Sequence, residues 1–268
     1  MLRSLKSIER YGVSATDGEV GSVVTFLFDD ERWVVRYLVV ETGGFLDRHR
    51  VLISPAFFRQ ADWMSQRFEL ALTVDKIRKS PDIDVDRSVS RQHEQDYYGY
   101  YGYPYYWGYA GLWGTSSSPA LMTLNSVRPT PAPHPERSPG DAHLRSVNEL
   151  IGYGIEGSDG GIGHVADLIV DDESWEIRYL VIDTRHWWHA KKVLAAPQWT
   201  SQISWEGKTV HMNLSRQAVK EGPAWDASAP INRKYETHLY DYYGRPAYWQ
   251  GGEGPERVMP SPDAGHQG

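Results

Sequence analysis

The sequence predicts an all-β protein built from two small β-barrels that follow one another along the chain. A stretch with the pattern of a β-hairpin occurs twice, so that Asp17 of the first copy recurs as Asp159 of the second and Tyr37 recurs as Tyr179. The strands of both copies are apolar on more than one face. Closed barrels produce this pattern because one face of each strand lines the interior and the other is covered.

Each copy of the hairpin consists of a glycine turn, an apolar strand, an acidic turn and a second apolar strand with strong β propensity. The first copy contains Asp29-Asp30-Glu31 in its acidic turn, and the second contains Asp171-Asp172-Glu173. The residues that we expect to define the turns and strands of the fold are Asp17, Gly18, Gly21, Arg36, Tyr37, Asp159, Gly160, Gly163, Arg178 and Tyr179.

These residues form an Asp-Gly-x-x-Gly turn and an Arg-Tyr-Leu-Val strand in each copy, and this signature resembles the core hairpin of the PRC-barrel family. Members of that family include the cytoplasmic domain of the photosynthetic reaction-centre H subunit and the C-terminal domain of RimM. The resemblance covers most of both repeats. It implies two tandem PRC-type barrels, each with a short C-terminal helix, joined by an aromatic and Pro-rich linker.

The shared register extends far beyond the hairpin without a gap, which indicates duplication of a whole domain and not of a short repeat. A short helix capped by Thr73 is expected at the end of the first barrel, and one after Ser215 ends the second. We therefore divide the chain into four parts. They are a first barrel at 1–90, a Tyr/Trp-rich segment and Ser/Pro linker at 91–142, a second barrel at 143–228, and an aromatic extension with a disordered tail at 229–268.

Composition excludes several classes of function. The formal charge of −7 disfavours a nucleic-acid binder, because phosphate neutralisation needs a surplus of Lys and Arg. No stretch is long and apolar enough for a membrane helix, and the N-terminus does not resemble a signal peptide. The absence of cysteine excludes thiolate chemistry and fits a reducing compartment. The resemblance to the PRC-barrel family implies a bacterial cytoplasmic protein.

Two motifs have both a functional and a structural interpretation. The glycine-dense stretch 157–163 is reminiscent of a phosphate-binding loop, but it precedes a strand and opens no helix, which favours a turn. The acidic turns could hold a divalent cation, but aspartate is also common in tight turns.

Arg36 and Arg178 lie inside apolar strands and need partners, for which Glu41 and Asp183 are candidates.

The loop after the second core strand carries the strongest candidates for partner binding in the second repeat. Its residues are His186, Trp187, Trp188 and His189, and Phe45 lies in the corresponding loop of the first repeat. Two histidines three residues apart could help to bind zinc, but no cysteine exists to complete such a site. We therefore predict no metal and no cofactor. The adjacent tryptophans cannot both point inward from an extended loop, so either one lies at a contact surface or both pack against other parts of the chain.

A run of tyrosines and tryptophans between Asp96 and Gly114 allows three interpretations. It packs over the first barrel as an ordered flap, it forms an adhesive segment for partners, including a second copy of this chain, or it stacks single-stranded bases. The absence of a basic groove disfavours the third. Within this run the candidate contact residues are Tyr103, Tyr105 and Trp107.

No catalytic motif accompanies these features, so we expect a protein that is not an enzyme. Family members act as assembly and contact modules. The resemblance therefore implies a non-catalytic binding or scaffold protein whose protein partner the sequence does not name. One alternative is a soluble relative of the reaction-centre H subunit in peripheral contact with a photosynthetic or electron-transfer membrane complex. A second is a RimM-like factor in ribosome assembly and RNA processing.

Overall fold

The computed structural model describes residues 1–43, 49–81, 91–107, 111–124, 144–184 and 191–250. It contains two seven-stranded sheets and few helices, which confirms the prediction of a predominantly β protein. The two sheets have the same strand order, and their strands occupy matching positions in the two repeats. Duplication therefore extends from the sequence to the path of the chain.

The first sheet takes six strands from the N-terminal half of the chain and one from the C-terminal half. The strands are β2 (Gly12–Ala15), β3 (Gly18–Asp29), β4 (Val34–Thr42), β5 (His49–Ile53), β6 (Phe58–Asp62), β7 (Arg67–Leu70) and β8 (Leu144–Ser146). Their order is β5-β4-β3-β2-β7-β6, and β8 pairs with β3 outside this path. All pairs are antiparallel except β2 with β7.

The second sheet repeats this arrangement and takes its seventh strand from the N-terminus of the chain. Its strands are β1 (Leu2–Ser4), β9 (Gly154–Gly157), β10 (Gly160–Asp171), β11 (Ile177–Asp183), β12 (Lys192–Ala195), β13 (Thr200–Ser204) and β14 (Thr209–Met212). The order is β12-β11-β10-β9-β14-β13, with β1 on β10. A short 3₁₀ helix precedes β6 at Pro55–Phe57 and β13 at Pro197–Trp199.

Seven helices lie in the described part of the chain. They are α1 (Leu5–Ile8), α2 (Val74–Arg78), α3 (Arg91–Tyr101), α4 (Pro119–Leu124), α5 (Val147–Leu150), α6 (Arg216–Glu221) and α7 (Arg233–Tyr243). The predicted helices after Thr73 and Ser215 are α2 and α6. The Thr73 side chain accepts from the Lys76 N–H at 3.3 Å, and Ser215 caps α6 in the same way. By contrast, α3 and α7 lie where the sequence suggested only aromatic linker and extension.

The Asp-Gly-x-x-Gly turns have a physical explanation in both repeats. Asp17 Oδ1 accepts from the N–H of Val74 at 2.8 Å, and Asp159 accepts from Arg216, so each aspartate ties the turn to the following helix. A Cβ atom at Gly21 would lie 1.9 Å from the carbonyl oxygen of Glu41 on the neighbouring strand. Gly163 has the same close approach in the second repeat. Only glycine allows the backbones to come this near.

The two repeats exchange their first strands. Leu2 is paired with Asp171 in the second sheet, and Leu144 is paired with Asp29 in the first. Leu2 and Leu144 are equivalent positions of the two repeats, as are Asp29 and Asp171, so the contact is reciprocal, as in an isologous dimer. The halves therefore form one body about a pseudo-twofold axis, with each sheet completed by a strand of the other repeat.

Backbone hydrogen bonds reinforce this seam between the repeats. The Val35 N–H donates to the Trp175 carbonyl at 2.8 Å, and the Ile177 N–H donates to the Trp33 carbonyl at 2.7 Å. Val34 and Glu176, which are equivalent positions, meet on the axis itself.

The charged contacts across the seam are reciprocal too. Arg3 pairs with Asp172 at 2.7 Å, and Arg145 lies 3.8 Å from Asp30, so the central aspartate of each acidic turn faces an arginine of the other repeat. The first aspartate of each turn has a different role. Asp29 Oδ1 accepts from the N–H groups of Glu31 and Arg32 at 3.1 and 3.0 Å, which is the ordinary turn-forming use of aspartate.

One tryptophan of the seam inserts into the opposite repeat. Trp175 is 2% exposed, and its ring lies 5.5 Å from that of Phe58 and 6.1 Å from that of Phe68, both in the first sheet. Its backbone has a positive φ of 58°, which costs energy for a residue with a side chain. This cost is offset because the indole fills an aromatic part of the core and the carbonyl accepts the hydrogen bond from Val35.

We expect Trp175→Ala to lower the free energy of unfolding by about 3 to 5 kcal/mol, since it leaves a large cavity in a core shared by both repeats. Chemical denaturation followed by circular dichroism measures this change. Trp225→Ala is the matched control because Trp225 is only partly buried. Equal losses in the two variants would contradict a role for Trp175 in joining the repeats.

A fragment of residues 143–250 could rebuild the seam with a second copy of itself, but Glu176 would then face Glu176 on the axis. Burial raises the pKa of the Glu176 carboxyl, because the charged form is less stable away from water. Two such carboxylates in close contact on the axis are therefore unfavourable. We expect Glu176→Gln to increase the dimer fraction of this fragment, measured by size-exclusion chromatography with light scattering. Glu206→Gln, in an exposed turn, is the control. Unchanged mass in Glu176→Gln would show that this charge does not oppose self-pairing.

Candidate functional site

The predicted strand residue Arg36 is fully buried in β4 of the first sheet. Its Nη2 atom lies 3.3 Å from Asp29 Oδ2, and its Nη1 atom donates to the carbonyl oxygen of Leu112 at 2.5 Å. The partner of this arginine is therefore Asp29 and not Glu41, because the hairpin brings Asp29 back beside β4. A buried guanidinium is stable only when its charge is compensated in this way.

A short part of the linker covers this arginine. The capping segment, residues 111–116, forms a tight turn in which the Trp113 N–H donates to the Ser116 carbonyl at 2.9 Å. Arg32 donates to the Gly111 carbonyl at 2.9 Å, and the indole of Trp113 donates to the Ser174 carbonyl of the other repeat at 2.7 Å. The segment is thus held mainly through its own carbonyl groups and one buried indole.

Two aromatic rings contact the Arg36 guanidinium. Its central carbon lies 3.9 Å from the centroid of the Tyr106 ring and 5.0 Å from that of Trp113. Cation–π contacts contribute about 0.5 to 2 kcal/mol each, with the larger values at desolvated positions. We call this arrangement of Arg36, Arg32, Tyr106 and the Ser174 carbonyl the Arg36 site.

A buried glutamate holds the aromatic hook of the first repeat, residues 103–107, which supplies Tyr106. Glu94, on α3, accepts from the hydroxyl of Tyr37 at 2.8 Å and from that of Tyr106 at 2.6 Å. Tyr97 lies beside it and donates to the Leu52 carbonyl at 2.9 Å. The helix and the hook are therefore fixed to the strands of the first sheet by hydrogen bonds to a buried main-chain carbonyl and to a buried carboxylate, and bonds to a charged acceptor are among the stronger kinds.

The second repeat contains the same cluster at equivalent positions, with residues 245–249 as its aromatic hook. Glu236, on α7, accepts from Tyr179 at 2.7 Å and from Tyr248 at 3.0 Å, and it pairs with Arg233 at 3.1 Å. Arg178 lies over the Tyr248 ring at 4.0 Å. We call the group formed by Arg178, Tyr248 and Glu236 the Arg178 site.

The ion pair of Arg178 differs from the one that the sequence suggested. Its partner is Glu176 at 2.8 Å and not Asp183. The two residues are two positions apart in sequence, at a register shift between β10 and β11.

The electrostatics of these clusters follow from burial. Removal of Tyr37 from water, together with the Glu94 carboxylate, raises the pKa of Tyr37 well above its usual range. Burial and the neighbouring Tyr240 and Glu236 shift the pKa of Tyr179 in the same direction. Both hydroxyls therefore remain protonated and act as hydrogen-bond donors. Their perturbed pKa values arise from packing around a structural carboxylate.

The structure places the three described candidate contact residues in the hook of the first repeat. Tyr103 packs edge-on against Phe57 at 4.5 Å, and Tyr105 stacks on Trp107 at 4.5 Å. Trp107 is 8% exposed, while Tyr103 and Tyr105 are partly exposed. Of the interpretations of this run, packing over the first sheet agrees with these contacts. Contact with a partner remains a prediction for the two tyrosines.

The other candidates lie outside the described residues. They are Phe45, His186, Trp187, Trp188 and His189.

Within the described ranges no group of three or more histidine and carboxylate side chains is arranged to hold a metal ion. No described helix combines the length and the apolar composition that crossing a membrane requires.

Sequence reasoning missed Glu94 and Glu236, which organise both clusters. They occupy equivalent positions of the two repeats, and each precedes a tyrosine by four positions on one helix face, Tyr98 and Tyr240 respectively. This helical spacing was the available signal. It was obscured because the tyrosine run resembles a low-complexity segment.

Comparison with protein-family models found no matching family, and comparison with curated proteins found no matching sequence.

We expect Tyr179→Phe to lower the free energy of unfolding by about 1 to 3 kcal/mol, because Glu236 stays buried with one donor fewer. Tyr243→Phe is the matched control, since its buried hydroxyl has no hydrogen-bond partner among the described residues and its removal should be neutral or stabilising. Denaturant unfolding of both variants measures the difference. Equal stability of the two variants would contradict a structural role for the Tyr179–Glu236 hydrogen bond.

Proposed function

We propose that this chain is a non-catalytic binding or scaffold protein, and that each repeat is a small closed barrel of the PRC type. The resemblance of the hairpin signature and the common strand order of the two sheets support the family assignment. In this proposal the two barrels form one rigid body, and partner proteins bind at the sheet ends where the aromatic hooks lie.

The observation that carries this proposal is the occupation of the Arg36 site by the capping segment. Arg36 and Arg32 bind main-chain carbonyls of Leu112 and Gly111, and Trp113 is fully buried between the repeats. Recognition of carbonyl groups and one tryptophan anchor is how many proteins bind a short segment of a partner. The Arg36 site therefore binds a peptide segment that belongs to the same chain.

The perturbed ionisable groups favour binding over catalysis. Tyr37 and Tyr179, whose pKa values are raised, donate to Glu94 and Glu236, which are 1% and 3% exposed. An active site needs such groups within reach of a substrate. Here they hold helices α3 and α7 against the sheets, so their shifted pKa values need no catalytic explanation.

The proposal is tested by identifying a protein partner and then reconstituting the complex from the purified proteins. The full-length protein, immobilised, is exposed to an extract of the native host, and each retained protein is then produced separately. We expect a purified partner to form a complex of defined stoichiometry, measured by size-exclusion chromatography with light scattering. The same protein is assayed against hydrolase and redox substrate panels. Robust turnover without any reconstituted complex would contradict the proposal.

A further inference from the structure

We propose that the Arg178 site is a second peptide-docking site, which binds a tryptophan-containing turn of a partner protein. It is the counterpart of the site that the capping segment fills in the first repeat. The inference rests on the proposed binding function and names the kind of segment that this function recognises.

The two sites have the same platform. Arg36 lies 3.9 Å from the Tyr106 ring, and Arg178 lies 4.0 Å from the Tyr248 ring. In both repeats a buried glutamate on the long helix accepts from the hydroxyl of that platform tyrosine. A guanidinium therefore lies over an aromatic ring in both repeats.

The two sites differ in what covers them. The Arg36 side chain is 0% exposed and is bound by a carboxylate and by the Leu112 carbonyl, whereas Arg178 is 17% exposed. Within the described part of the chain, Glu176 is the one ion-pair partner of Arg178, and no main-chain carbonyl is bound to it. Among the described residues, the second platform therefore has a guanidinium to which no peptide carbonyl is bound.

The charges around Arg178 indicate the class of ligand. Glu176 lies 2.8 Å from the guanidinium and neutralises it, so a phosphate or a free carboxylate would be repelled by the neighbouring charge. A neutral carbonyl group can still accept a hydrogen bond from the remaining donors. A tryptophan beside that carbonyl would repeat the contact that Trp113 makes at the seam.

The structure also indicates the relative strength of the two sites. Ser174 stands at the position equivalent to Arg32, so the second site lacks the guanidinium that binds the Gly111 carbonyl. A peptide in solution must also lose translational freedom that the tethered capping segment does not lose. We therefore expect binding that is reversible and weaker than the intramolecular contact.

The probe is a fluorescein-labelled synthetic peptide with the sequence of residues 110–117, titrated with the full-length protein and followed by fluorescence anisotropy. We expect saturable binding. Replacement of the tryptophan in the peptide by alanine should weaken it at least about tenfold, as for other buried tryptophan anchors. Arg178→Ala in the protein should weaken it by a similar factor.

Two further variants keep the test decisive. Lys234→Ala removes an exposed cation from α7 and should leave binding unchanged. Arg178→Lys keeps the charge but loses the planar fork, so we expect it to weaken binding several-fold even if Arg178→Ala fails to fold. Absence of saturable binding, or equal binding by wild type and Arg178→Lys, would overturn the inference. Either result leaves reconstitution of a protein complex as a separate test of the proposed function.

Discussion

The reciprocal exchange of the first strands is the constraint on which the rest of the structure depends. A sheet edge that exposes unpaired N–H and C=O groups is costly and invites association. Here β1 completes the second sheet and β8 completes the first, so each repeat satisfies part of the other's edge. The acidic turns become part of the seam for the same reason, since Asp30 and Asp172 face the arginines that the exchanged strands carry.

We propose that asymmetry at this seam separates the two repeats in function. Val34 and Glu176 meet on the axis, and Trp175 inserts into the aromatic core of the first repeat. The linker that leaves the first repeat returns to cover Arg36, so this site is sealed by a segment of the same chain. The second platform keeps the arginine over a tyrosine ring and the buried glutamate, and no main-chain carbonyl of the described residues is bound to Arg178, which is why we propose contact with a partner there.

Much of the fold could be predicted from local patterns. Runs of β-branched residues, the acidic turn and the capping threonine indicated β3, β4 and α2, because each depends on residues close in sequence. The pairing of β1 with β10 could not be predicted, since Leu2–Ser4 is too short to carry a periodic pattern and its partner lies far along the chain. The sequence did not lead us to predict helix α3, because the run of tyrosines made the four-residue spacing between Glu94 and Tyr98 hard to recognise.

By itself the sequence determined that one unit was duplicated and that each copy contains a glycine turn, an apolar hairpin and a capped helix, because these features arise from the local conformational preferences of the chain. Only the tertiary structure decided the partners of the buried charges. Arg36 meets Asp29 and Leu112, while Arg178 meets Glu176. A guanidinium on a long side chain has several acidic residues within reach, and the packing of the surrounding segments selects one of them.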